Sequence, residues 1–131
     1  MPPEQEIALQ WVRLGEHDLR EAQRSLSEHE DPAYEIACFH AQQAAEKYLK
    51  AFLCSRKLAV PNTHDLAKLA HSMPPEARLD HMMEDLAHLT PFAVSSRYPG
   101  VDIPETREDA DFALRTARRL REAILPLLPK P

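Results

Sequence analysis

Glycine is almost missing from this chain, with only Gly15 and Gly100 among 131 residues. Phosphate-cradling loops of the Walker or dinucleotide-binding kind need several glycines for close backbone approach. Those modes are excluded, and any bound nucleotide must be held by side chains and helix ends. Cysteine is equally scarce. Cys38 and Cys54 fall on one predicted helix, sixteen positions apart, which at about 1.5 Å rise per residue separates them by about 24 Å. A disulfide needs roughly 4.4–6.8 Å between Cα atoms, so the two thiols are read as small buried apolar groups. No apolar run approaches the ~18 residues that span a bilayer. The opening Met-Pro-Pro-Glu-Gln-Glu has no basic-then-apolar signal pattern. A cytoplasmic protein with no membrane partner is therefore expected. A basic excess is lacking too: the net charge is −5, which argues against a nucleic-acid coat but leaves room for a local basic patch.

What is present is helical. The chain is 44% hydrophobic and 28% charged, long enough for a real core, and reads as one domain over 1–131 with its core at about 4–125. Periodicity predicts five helical segments and no convincing strand. The first runs from about Glu4 to His29 with Ile7, Trp11, Leu14, Leu19, Ala22 and Leu26 inward, and Asp31-Pro32 breaks it. The second covers about Ala33 to Arg56. A short third starts at Asn62-Thr63, good N-cap chemistry, with Asp65 near its positive end. The fourth spans Glu76 to about Ser95, where Pro91 should kink or split it, with Leu79, Met82, Met83, Leu86, Leu89 and Ala93 inward. The fifth spans about Glu105 to Leu125 with Ala110, Ala113, Leu114, Ala117, Leu120 and Ile124 on its core face. The fold class is all-α, an up-and-down bundle of four long helices plus one short one.

The second helix carries the most information. At about 100° per residue, Ala37, Ala41, Ala44, Ala45, Tyr48, Ala51 and Phe52 share one broad apolar face. Its alanines allow another helix to approach closely. On the other side His40, Gln43, Lys47 and Lys50 form a single polar stripe. It reads either as a site for an anionic ligand such as a nucleotide phosphate or as a solvated face.

The string Phe39-His40-Ala41-Gln42-Gln43-Ala44-Ala45-Glu46-Lys47, then Leu49-Lys50-Ala51, then Thr63-His64-Asp65-Leu66, closely resembles the HEPN domain (higher eukaryotes and prokaryotes nucleotide-binding). Asp18-Leu19 with Ala22, and Ser96-Arg97-Tyr98-Pro99, fit the same pattern. The resemblance runs over roughly residues 8 to 125 and implies a HEPN-like bundle that pairs as a homodimer, as the wide Ala- and Leu-rich faces also suggest. It implies too a stand-alone prokaryotic type of domain that binds a nucleotide such as ATP. Such a domain works beside a small nucleotidyltransferase, here necessarily a separate chain, in a toxin–antitoxin-like pair.

Ligand-binding candidates are Asp18, His40, Gln43, Lys47, His64, Arg97 and Tyr98. Asp18 lies by angle on the apolar side of the first helix, so it needs a partner. Arg97, His40 and Lys47 are the candidates, in a site or in a structural ion pair. Pro99 biases Tyr98 toward an extended backbone, projecting an arginine fork for phosphate and a tyrosine for stacking; otherwise Tyr98 plugs the bundle end. His64 either meets ligand or braces its loop. HEPN ribonucleases carry Arg, four to six residues, then His. After Arg97 those positions are Asp102, Ile103 and Pro104, none an imidazole acid/base. No catalytic residue is assigned, and RNA is the less favoured ligand. A ribonuclease toxin with a degenerate motif, and a purely structural dimerisation module, stand as alternatives. His81, Asp85 and His88 have metal-like spacing but share the wet face, so no metal or other cofactor is expected. Arg115, Arg118, Arg119 and Arg121 suit the negative end of the last helix, with a phosphate patch as the other reading.

Overall fold

The computed structural model describes residues 1–27, 30–77, 79–94 and 99–130. Three long helices dominate: α1 (Pro3–Leu26), α2 (Tyr34–Ser55) and, after the shorter α3 (Leu66–His71) and α4 (Met83–Leu89), α5 (Arg107–Ile124). Among the described residues there is no strand, and no helix is long and apolar enough to cross a membrane.

Central to the bundle is α2, which packs chiefly against α1 and next against α5. All seven residues assigned to its apolar face, from Ala37 to Phe52, are fully buried. So are Leu49 and Leu53, which makes α2 a core helix with only a narrow exposed edge. Neither Cys38 nor Cys54 forms a disulfide among the described residues. The core face of α5 is as expected, with Ala110, Ala113, Leu114, Ala117, Leu120 and Ile124 all buried. Its start is a capping box: the Thr106 hydroxyl accepts from Asp109 N at 3.2 Å while the Asp109 carboxylate accepts from Thr106 N at 2.9 Å, satisfying two otherwise orphaned donors.

In α1 the buried line differs from the expected one. Ala8, Gly15, Asp18, Leu19 and Ala22 are buried, whereas Ile7 and Leu14 are each 47% exposed. Small residues define the contact because α1 lies tight on α2: a Cβ on Gly15 would stand 3.0 Å from Tyr48 Cε1. Leu19 and Ala22 lie on that line as expected, while Ile7 and Leu14 sit beside it.

Two further boundaries move. α3 begins after Asp65, whose carboxylate accepts from Lys68 N at 3.1 Å; Thr63 instead accepts from Asp65 N at 3.1 Å, tightening the approach rather than capping the helix. The fourth segment is not one long helix. It is a 3₁₀ turn at Pro75–Ala77, another at Asp80–Met82, then α4, then a third turn at Thr90–Ala93. Pro91 supplies no N–H and so splits the end, as its position predicts. Thr90 uses the break: its hydroxyl donates to Leu86 O at 2.9 Å and accepts from Leu66 N at 3.0 Å, docking α3 on α4. Leu79, Met82, Leu86 and Leu89 are buried as expected, while Met83 and Ala93 are only half-buried.

Candidate functional site

Asp18 enters the α1–α2 interface almost without solvent, at 9% exposure. Two of its three expected partners meet it. Asp18 Oδ1 lies 2.8 Å from His40 Nδ1, and Oδ2 accepts from the Lys47 ammonium. An ionised carboxylate only accepts, so the Nδ1 proton of His40 faces Asp18. His40 and Lys47 stand seven residues apart on α2, hence two turns along one face. Their side chains remain 27% and 21% exposed. One buried carboxylate thus orients an imidazole and an ammonium toward a common, half-open edge. The edge-on Phe39 ring, its centroid 5.2 Å from that of His40, backs the imidazole.

The remainder of the stripe belongs to a different network. Gln43 donates to Gln42 Oε1 at 2.8 Å, and Gln42 donates to the His64 carbonyl at 2.9 Å. His64 Nδ1 is 2.7 Å from Glu46 Oε1, and Glu46 Oε2 accepts from Lys50 at 2.9 Å. Lys50 is buried, with its ammonium 5.6 Å from the Trp11 ring centroid. The solvated-face reading therefore fails for Lys50, whose charge is already matched inside the protein. His64 is braced to α2 through both ring and backbone, while its side chain stays 68% exposed. Gln43 shares the face of His40 but bonds toward the His64 side. Arg97 and Tyr98 lie outside the described residues.

A third network was not legible in the sequence. The buried Tyr48 hydroxyl donates to Glu16 Oε1 at 2.6 Å, and Arg121 donates to both Glu16 oxygens, at 2.6 and 3.0 Å. The Arg121 hydrogen bonds, helped by Tyr48, hold the Glu16 carboxyl below its ordinary value although burial pushes the other way. Burial, then Glu16, pushes the Tyr48 hydroxyl far above the ordinary tyrosine value. The only hint in the chain is a tyrosine on an apolar face, which needs a polar partner when buried.

His81, Asp85 and His88 do not form a metal site. His81 lies in the turn before α4, and Asp85 accepts from Arg119 at 3.0 Å. Among the described residues no group of three or more His, Cys, Asp or Glu is placed to hold a metal ion.

These features define an all-helical bundle whose central helix carries a carboxylate-organised polar seam. Residues 8–127 match the HEPN domain family, and the chain belongs to it. Two solved structures share the fold. TT1696 from Thermus thermophilus superposes with a TM-score of 0.79 at 30% identity, covering 92% of this chain and 98% of that one. ST0689, an archaeal HEPN homologue, has a TM-score of 0.72 at 26% identity, covering 93% and 98%. No curated protein matches the chain.

Proposed function

We propose that this chain is a HEPN-type nucleotide-binding module that acts, as a homodimer, with a separate small nucleotidyltransferase in a toxin–antitoxin-like pair. The observation that carries the reading is the Asp18 carboxylate holding His40 and Lys47 side by side at a half-open edge. Lys47 has ammonium hydrogens beyond the one given to Asp18, and a protonated His40 adds a second donor at Nε2. Together they offer charge-assisted contacts to a nucleotide phosphate. Membership of the family supports the partnership. The sequence Asp102-Ile103-Pro104, where a ribonuclease histidine would stand after Arg97, favours a binding role over RNA cleavage. Exposed Ile7 and Leu14 on α1 support pairing of two copies.

Calorimetric titration of ATP, with and without magnesium, into wild type, Lys47→Ala and Arg97→Ala tests the nucleotide reading. Saturable binding that weakens about tenfold or more in Lys47→Ala, the loss expected for one charge-assisted contact, supports it. Equal affinity in both variants, or no binding by wild type, removes the nucleotide from this seam. Size-exclusion chromatography with light scattering reads the homodimer, and co-purification with a nucleotidyltransferase encoded beside this chain reads the partnership.

A further inference from the structure

Two positions along a helix rotate a side chain by about 200°, so Glu16 and Arg20 face away from the seam that Asp18 organises. On that far side, α1 and α5 enclose a cleft of about 270 Å³. Arg20, Arg118 and Arg121 line it, with the Gln23 amide beside them. The three arginines do different things. Arg121 is immobilised: it spends two donors on Glu16, at 2.6 and 3.0 Å, and the same carboxylate is braced from behind by the Tyr48 hydroxyl. A guanidinium has five N–H donors in a fixed fork, so Arg121 keeps donors for a further acceptor. Arg20 and Arg118 are exposed and make no ion pair among the described residues.

The charge balance favours an anion. Glu16 is already matched by Arg121, and Glu122 is the other carboxylate of the lining. The cleft therefore carries three positive groups against two negative on a chain whose net charge is −5. None of its lining residues is aromatic, so it has no platform for a base. Planar guanidiniums match the oxygens of a phosphoryl group in pairs.

We propose that the α1–α5 cleft is a phosphoanion site, distinct from the Asp18 seam, that takes a compact polyphosphate of the pyrophosphate kind. Arg121 is its pre-oriented fork, and Arg20 and Arg118 close on the ligand. The polyphosphate is either free or the tail of a nucleotide, the base remaining outside the cleft.

The test is calorimetric titration of pyrophosphate, in a phosphate-free buffer, into wild type, Arg20→Ala, Arg118→Ala, Arg118→Lys and Lys47→Ala. Among the described residues Arg20 and Arg118 hold no ion pair, and thermal melts verify that each variant is folded. The expected result is saturable binding, weaker by about tenfold or more in both alanine variants, only partly restored by Arg118→Lys, and unchanged in Lys47→Ala. Competition separates the sources. ATP displacing pyrophosphate with the same variant pattern identifies a nucleotide tail, and ATP failing to displace it identifies a free polyphosphate; both support the site. Absence of saturable binding in wild type, or affinity unaltered in Arg20→Ala and Arg118→Ala, overturns it. Since Lys47→Ala probes the nucleotide seam alone, failure there leaves this cleft untouched, and failure here leaves the seam untouched.

Discussion

Gly15→Ala sets two effects of similar size against each other, and the packing around it decides which wins. Gly15 is buried in the middle of α1, where replacing a helix-interior glycine by alanine is ordinarily worth about 0.5–1 kcal/mol of added stability. Here the new methyl carbon would lie 3.0 Å from Tyr48 Cε1, 3.2 Å from Cδ1 and 3.4 Å from Lys47 Cβ. The last distance is barely tight, but the first two require the ring to give by a few tenths of an ångström. Tyr48 has little freedom to do so. Its side chain is fully buried, and its hydroxyl is tied at 2.6 Å to Glu16, itself locked by Arg121. Overpacking a core position costs about 1–3 kcal/mol, so the clash should outweigh the helix gain and leave a net loss of about 1 kcal/mol. For a chain of this size that is a fall in Tm of roughly 3–5 °C.

Thermal melts and urea titrations followed by circular dichroism measure the effect. A double-mutant cycle then isolates its cause. In Tyr48→Phe the ring remains but its tether is gone, so adding Gly15→Ala should cost less, with a coupling of about 0.5–1 kcal/mol. An alanine variant at least as stable as wild type would refute the reasoning, because it would mean that the ring yields freely and that glycine is not what sets the α1–α2 approach. Additivity with Tyr48→Phe would refute the tether alone.

Three further outcomes follow from the polar networks. Asp18→Asn removes the counter-charge of Lys47 at a site where both side chains are mostly buried; the loss should be about 2 kcal/mol, between a surface pair and a fully buried one, and a shift in the urea midpoint corresponding to less than ~0.5 kcal/mol would show that Asp18 does not anchor the interface. The lowered Glu16 pKa makes a signed acid prediction. A carboxyl whose folded pKa is depressed contributes stability above its unfolded value, near 4.5, and loses it as pH falls through the folded value. Glu16→Gln should therefore flatten the decline of the urea midpoint with acidification below about pH 4.5, and parallel curves for the two proteins would count against the Arg121 and Tyr48 contacts. At the alkaline end, ultraviolet titration should find Tyr48 still protonated well above the ordinary range, because burial pushes its hydroxyl up.

Which parts of this architecture the sequence discloses follows from the range of the interactions involved. Periodicity along one helix is a local property, so the alanine face of α2 and the core face of α5 are both legible residue by residue. It fails where two apolar sectors compete for one interface. Ile7 and Leu14 are as apolar as any residue of α1, yet the buried line runs through Ala8, Gly15 and Ala22, because the close approach to α2 selects for size before hydropathy. The fourth segment shows a second limit. Its apolar residues have helical spacing, but Pro91 and the successive 3₁₀ turns let Leu79, Met82, Leu86 and Leu89 reach the core without a continuous helix.

The polar seam marks the sharpest boundary of all. Angle alone puts His40, Gln43, Lys47 and Lys50 on one stripe, but a stripe acquires chemistry only from what is placed against it. Asp18, twenty-two residues before His40, takes the His40 and Lys47 end, while His64, eighteen residues beyond Glu46, anchors the other network. Asp18 could be nominated because a carboxylate on an apolar face demands a partner. Glu16 and Arg121, 105 residues apart, offered no such demand: each reads as an ordinary surface charge until the fold lays α5 against α1. A buried group that is costly alone announces itself in the sequence, whereas a pair that is comfortable in water becomes informative only once the fold brings it together.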